Sequence, residues 1–407
     1  MNNLFKNKVF RIIIITDLIQ QTSIWIRNIA LLFFIMEATN NNPVAVSLLT
    51  VLEYVPIFLF SFIGGALADR LNPKKIMILG DFLSGISIVI ILLFVSAGFW
   101  QALFLATFVS AIVTQMSLPS SLVMFKRFLP EEHITSAMAI SQSTSSVFTI
   151  IGPIIGTIIF TRLGIQTSLI IIAILFFCSS IIEFALPTFT RNSQTVKFSL
   201  FQQVKEGFVY VKDHMNLVII SCICLTVGIG QGIINPLGVY VIIERLGLDK
   251  ENIQWFYSLS GLGLLAGGVI AALISQKLNV KIITFIGMCF FSIGIILEVL
   301  SVWVVFTAGV RIFVGIIMAL VQVVLNTLLL KHVQEEYVGR VNGIIIPVMT
   351  GAVLIGSSLS GVMMKSITLI PTYFIASFII LIGAFISLRL RLQTEEKINT
   401  ESCSLDM

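Results

Sequence analysis

Charge is scarce in this chain: only 11% of its 407 residues are Asp, Glu, Lys or Arg, where a soluble protein carries about a quarter. With 57% hydrophobic residues and a mean hydropathy of +1.04, too little polar surface remains to coat a water-soluble globule. Histidine is also rare. His133, His214 and His332 fall in separate polar connections, too scattered for a metal cluster. Of the five cysteines, Cys178, Cys222, Cys224 and Cys289 lie in apolar runs, Cys403 stands apart, and none forms a CxxC pair. That argues against a disulfide framework or a zinc site. The sequence has no phosphate-cradling P-loop, catalytic triad or metal-ligand set, so neither an enzyme nor an ATP-driven pump is expected, and no cofactor. A GxGxxG/A match at Gly261–Ala266 lies inside an apolar run. Without a preceding strand it reads as helix packing and not as a dinucleotide site.

What is abundant is apolar runs, and most are long enough for helices, since about 20 residues span the hydrocarbon core. Runs such as IIAILFF do not alternate, as barrel strands would. Twelve spans are expected, at about 11–36, 44–68, 76–97, 101–124, 134–160, 167–186, 217–243, 253–275, 282–301, 302–330, 341–364 and 372–388. The first follows Lys6, Lys8 and Arg11 but is too long and too polar for a signal peptide, and no small-residue cleavage site follows it. It reads as a retained helix. After the first connection, Asn42 is placed to cap the second helix, with Pro43 at its first position.

The net charge of +5 is explained by topology, not by nucleic acid. If both termini are cytoplasmic, the outer connections hold only Arg162, Arg245, Lys250 and Lys365, and the spans only Arg27 and Arg311. All other Lys and Arg fall on the inner side, as the positive-inside rule requires. A multi-pass protein of the cell membrane follows. The longest polar stretch divides the spans six and six, giving a first bundle at 1–187, a linker at 188–216, a second bundle at 217–392 and a tail at 393–407. In the linker, Phe201, Val204, Phe208 and Val211 recur at helical spacing. That suggests a helix on the cytoplasmic membrane face, with a disordered linker as the other reading.

Two echoes relate the halves. Glu131-Glu132 and Glu335-Glu336 stand 204 positions apart, each pair preceded by basic residues. GGALADRLNPKK from Gly64 pairs with GGVIAALISQKLNVK from Gly267 if the second copy is one helical turn longer. Two parallel six-helix bundles with a substrate site between them suit a secondary transporter.

The stretch Gly65 to Lys75, GALADRLNPKK, resembles the signature that follows the second helix in the major facilitator superfamily, roughly G-x-L-A-D-R-x-G-R-K. Gly65, Leu67, Ala68, Asp69, Arg70 and Lys74 match; Asn72 and Pro73 depart from it. The resemblance implies an all-α membrane protein of twelve transmembrane helices in two six-helix bundles. It also implies a gating role for this loop, with Asp69 facing the start of the eleventh helix near Arg340–Asn342. Lys74 or Lys75 would then stand in for the missing Arg. The PEE after the fourth span, Lys205–Gly207 and Gly339–Val341 are similar to features of the macrolide-efflux branch of drug:proton antiporters. Gly152-Pro153-Ile154-Ile155-Gly156 resembles the antiporter core GPxxGG without its last Gly, and small-residue packing is the alternative reading. The fourth span lacks the Arg common in such antiporters; Ser110 is the nearest match.

Polar residues inside the spans are the site candidates. Asp17, Gln20, Gln21, Ile24 and Asn28 share one helical face, which should face water and not lipid, because intramembrane charge is costly. At 1.5 Å per residue, Arg27 lies about 15 Å below the outer end of the first span and Glu53 about 14 Å below that of the second. An Arg27–Glu53 pair is predicted. Two readings stay open: Glu53 takes a proton when the cavity closes and loses its water, or the pair is a static tie between helices. Asp17 is either an inner proton carrier or a hydrated group at the cavity mouth. Asp81 and Glu183, near inner helix ends, read as structural. Arg311, about 13 Å into the tenth span, is placed to bind an anionic group or to attract Glu298. Gln115, Gln231 and Asn235 are cavity hydrogen-bonders or polar packing residues. The expectation is a monomeric, proton-driven exporter of amphipathic, macrolide-like compounds in the lipid bilayer, without a nucleic-acid partner. The alternatives are a carrier of another metabolite, siderophore or lysolipid, and a membrane sensor or assembly partner on a transporter fold.

Overall fold

A computed structural model of the chain describes residues 2–70, 72–188, 200–274, 280–334 and 337–390; all regular structure among them is helical. The first four long helices are α1 (Lys8–Ala38), α2 (Pro43–Arg70), α3 (Pro73–Ser96) and α4 (Leu103–Phe128). A continuous run, Glu131–Glu183, is broken at Gly164 (φ 72°, ψ −179°) into α5 (131–163) and α6 (165–183). After a connecting helix, Leu200–Asp213, come α7 (Met215–Ile234), α8 (Ile253–Ile274), α9 (Val280–Leu300), α10 (Val304–His332), α11 (Val338–Ile367) and α12 (Leu369–Ser387).

By length and composition, ten of the described helices suffice to cross a membrane. The 53-residue run would be about 80 Å long if straight. It therefore counts twice, and α4 completes twelve crossings. Leu93, Ile181, Leu273 and Phe378 project from the outer surface, as a lipid-facing belt requires.

Asparagine followed by proline starts two of these helices. Asn42 Oδ1 accepts from Val44 N at 3.0 Å and Asn72 Oδ1 from Lys74 N at 3.1 Å, each with proline at the first helical position. The departures from the family pattern at Asn72 and Pro73 thus build the cap of α3.

The duplication is written in the backbone. Gly164 opens α6, and Thr368, 204 positions later, opens α12 with nearly the same angles (φ 70°, ψ 175°). Helix contacts repeat as well. Gly152 of α5 meets the Trp25 ring of α1, and Gly356 of α11 meets the Ile229 carbonyl of α7; a Cβ at either glycine would collide. Both members of the second contact lie 204 positions beyond those of the first. Between bundles, α2 packs on α11 and α5 on α8, again related pairs. The GxGxxG-like stretch serves this packing: Gly261 abuts Thr149 and Ile150 of α5, and Gly263 the Ile312 carbonyl of α10.

One expectation needs correction. The seventh span does not run unbroken over 217–243. Beyond Ile234 it becomes a 3-10 turn (Asn235–Leu237), a short α segment and a π turn (Val241–Arg245). Pro236 has no N–H to give the Gly232 carbonyl, and that carbonyl accepts from Ser357 Oγ of α11 at 3.1 Å. The connecting helix forms where the apolar spacing placed one; Val211 is buried and Phe208 exposed, and Phe201 lies among residues whose side chains are outside the described ones. This helix docks on the start of α11, where Glu206 reaches Arg340 at 3.4 Å and Tyr210 stacks on Tyr337 at 4.3 Å.

Candidate functional site

Where the two bundles meet lies a cavity of about 320 Å³, lined by residues of α1, α2, α4, α8 and the broken end of α7. Asn28, Glu53, Thr107, Asn235 and Tyr257 supply its polar wall; Trp25 and Tyr54 add aromatic surface. Glu53 and Tyr257 are 204 positions apart, so related positions in the two bundles look into one space.

Arg27 is buried at 2% exposure, and its Nη2 stands 3.8 Å from Glu53 Oε1. Asn28 Oδ1 accepts from Arg27 Nε at 3.1 Å and from Nη2 at 2.8 Å, while Nη1 has no hydrogen-bond partner. The depth arithmetic thus brought the two residues to neighbouring positions. The contact is loose, however, and Asn28 takes the hydrogen bonds of the guanidinium. Glu53 keeps a third of its side-chain surface open to the cavity.

A second pair lies in the other bundle. Arg311 Nη2 meets Glu298 Oε1 at 2.6 Å, both largely buried. Arg311 lines neither described cavity, but it stands within electrostatic reach of Tyr257, which does. Gln231 donates to Met318 Sδ at 3.5 Å, bridging α7 and α10. Gln115 is half-buried and borders neither described cavity.

Inside the first bundle, towards the end that carries Lys8, lies a cavity of about 260 Å³. Asp17, Gln20, Gln21, Asp81 and Ser141 are among its lining. Ser141 Oγ donates to Asp17 Oδ2 at 2.6 Å, Gln20 Nε2 to Asp81 Oδ2 at 2.8 Å, and Gln21 Nε2 to Ser145 Oγ at 3.4 Å. The polar stripe of α1 therefore serves two spaces: Asp17 to Ile24 face this one and Asn28 the central one.

Of the gating candidates, Gly65, Asp69 and Arg70 fall in α2, where side chains lie outside the described residues. Lys74 Nζ donates to the carbonyls of Phe184 at 2.8 Å and Leu186 at 2.5 Å. It is committed to the C-terminal end of α6, where helix carbonyls attract a cation, and Lys75 is exposed. Pro153 is buried inside α5, and Gly156 lies against the Trp25 carbonyl and Ile29 of α1.

At the opposite end, the far end, polar contacts join the bundles. Lys250 Nζ meets Glu37 Oε1 at 2.6 Å, Tyr240 Oη donates to the Asn41 carbonyl at 3.0 Å, and Ser47 Oγ lies 2.9 Å from Ser360 Oγ. Sequence reasoning missed this clasp, and it missed Tyr257 and Thr107 in the cavity wall. Applying the 204-residue offset to Glu53 would have found Tyr257.

Residues 13–224 and 220–403 match the sequence profile of the Major Facilitator Superfamily. The chain is 25% identical over 365 residues to the uncharacterized MFS-type transporter YkuC of Bacillus subtilis (strain 168), covering 85% of this chain and 83% of that protein. It is 22% identical over 346 residues to macrolide efflux protein A of Streptococcus pyogenes, covering 82% and 84%. The crystal structure of a point mutant of the nucleoside transporter NupG shares the fold with a TM-score of 0.77 at 12% identity, over 94% of this chain and 100% of that one. Twelve helices in two repeated bundles around a central cavity, matched along their whole length, make this multi-pass membrane chain a non-enzymatic transporter that belongs to the Major Facilitator Superfamily.

Proposed function

We propose that this transporter exports amphipathic, macrolide-like compounds from the cell in exchange for protons. Its domains are a first bundle to residue 187 and a second from residue 217 to 392, joined by the linker, and it sits as a monomer in the cell membrane with both termini in the cytoplasm. The observation that carries the reading is the central cavity, which combines aromatic surface with one partly open carboxylate, Glu53. Trp25, Tyr54 and Tyr257 suit an apolar body, and Glu53 suits a cationic group or a proton. Similarity to macrolide efflux protein A supports the direction and the substrate class.

In this reading the far-end clasp marks the inward-facing stage of alternating access. Substrate enters from the cytoplasm, the bundles rock about the α2–α11 and α5–α8 contacts, and a proton returns on Glu53. The Arg27 guanidinium, held by Asn28, stands 3.8 Å from the Glu53 carboxylate. The energy source is the proton gradient.

Inside-out vesicles from an efflux-deficient strain test this. Imposed proton gradients should drive uptake of macrolides, and Glu53→Gln should abolish driven uptake while the protein still inserts. Normal driven uptake by a well-expressed Glu53→Gln variant would exclude Glu53 as the carrier. A ligand effect on the protein without flux would favour a sensor.

A further inference from the structure

Three carboxylates in the first bundle have no basic partner. Asp17 of α1, Asp81 of α3 and Glu183 at the end of α6 come from sequence positions far apart, yet Glu183 stands within electrostatic reach of both others. Among the described residues, no Lys, Arg or His nitrogen lies within 4 Å of their oxygens, whereas Glu53 and Glu298 each have an arginine. Asp17 and Asp81 accept hydrogen bonds from neutral groups, Ser141 and Gln20. Glu183 is 0% exposed, and neither of its oxygens has a hydrogen-bond partner.

The second bundle does without two of these acids. Counting on 204 positions, Asp17 corresponds to Ser221 and Glu183 to Ser387. Ser387 is as buried as Glu183 and is satisfied by the Ala384 carbonyl of its own helix at 2.6 Å. The same helix end thus packs without a carboxylate in the second bundle.

Three carboxylates gathered without a basic partner among the described residues concentrate negative charge that a cation must offset. The C-terminal end of α6 adds carbonyl dipoles of the same sign. The basic groups on the surrounding elements are spoken for or peripheral. Lys74 is bound to the Phe184 and Leu186 carbonyls, and His133 lies 3.7 Å from Glu132. Arg11, Lys75, Lys126 and Arg127 are exposed at the boundary, as are Glu131 and Glu132. Among the described residues, no group of three or more His, Cys, Asp or Glu has the geometry to hold a metal ion; a proton is the cation that a carboxylate binds singly.

We propose that Asp17, Asp81 and Glu183 form a proton-binding site, entered from the 260 Å³ cavity and separate from the Glu53–Arg27 pair. Asp17 and Asp81 line that cavity, Asp81 almost fully buried in its wall; Glu183, wholly buried, does not line it. A proton delivered by water forms an O–H bond on Asp17 or Asp81. Passage on to Glu183, whose oxygens meet no donor in this arrangement, takes a side-chain rotation or a bridging water; the first O–H bond then breaks as a new one forms, with no change of oxidation state. The inference rests on the proton-coupled reading for its purpose, but proton binding itself needs no transport.

Infrared difference spectroscopy of the purified full-length protein in lipid, compared across pH and in heavy water, tests it. The wild type should show a protonated-carboxyl band at neutral pH that shifts in heavy water. Glu183→Gln should lose it and Glu53→Gln should retain it. Absence of the band from the wild type, or its full survival in Glu183→Gln, would overturn the proposal. If Glu183→Gln fails to fold, Asp17→Asn serves instead, since Asp17 borders open space. It should displace the band by removing a neighbouring charge, and an unmoved band would refute the site. A band that behaves as expected in a protein showing no gradient-driven flux would uphold the site and sink the transport reading.

Discussion

Replacing Glu298 by Gln should destabilise the fold far more than replacing Glu53 by Gln, though each acid faces an intramembrane arginine. The Glu298–Arg311 contact is 2.6 Å long, with side-chain exposures of 7% and 13%. Removing one partner of such a buried pair leaves the other charge uncompensated, at a cost of about 3–5 kcal/mol. The Arg27–Glu53 contact is 3.8 Å long, Glu53 is one-third exposed, and Arg27 keeps its two hydrogen bonds to Asn28. Solvent screening places its worth at about 1 kcal/mol or less. Thermal unfolding in one detergent, followed by circular dichroism, should therefore rank wild type and Glu53→Gln together and Glu298→Gln well below. Joint replacement of Glu298 by Leu and Arg311 by Met should recover most of the loss, because no buried charge is then left alone. If Glu53→Gln proved as damaging as Glu298→Gln, or if the joint replacement recovered nothing, the distinction between a structural and an available carboxylate would fail.

Two further outcomes follow from the repeated backbone. Thr368 holds a conformation that β-branched residues avoid. Thr368→Gly should therefore raise thermal stability by about 1 kcal/mol and Gly164→Thr should lower it by about the same or more, read from paired melting curves. Gly356→Val would push a side chain into the α7 backbone. It should cost about 1–3 kcal/mol and reduce the yield of monodisperse protein on size exclusion, whereas Gly268→Val, which meets nothing within 4 Å, should not.

Much of the architecture was legible because hydrocarbon imposes length and polarity on each crossing. Apolar runs located the spans, and counting residues from the ends of two antiparallel helices was enough to bring Arg27 beside Glu53. The Glu-Glu echo carried the 204-residue period that the Gly164 and Thr368 backbones repeat. The break in the seventh span was hidden by its continuous apolar character, although Pro236 was the available signal. Lys74 was assigned to the gating loop by resemblance, but the end of the sixth helix offers its ammonium unsatisfied carbonyls. Asp17 looked like an inner proton carrier or a hydrated group at the cavity mouth, and Asp81 and Glu183 like structural acids near helix ends, since a linear pattern does not reveal which faces of three distant helices converge.

The far-end clasp has a consequence for the proposed cycle of alternating access. It consists of one half-exposed ion pair and two hydrogen bonds, each contributing on the order of 1 kcal/mol in water. Its polar part thus biases the clasped arrangement by about a hundredfold, a shallow preference. No fuel has to be burned at that doorway. Whatever binds deeper in the molecule needs only a modest preference for one arrangement to decide which side of the membrane it next meets.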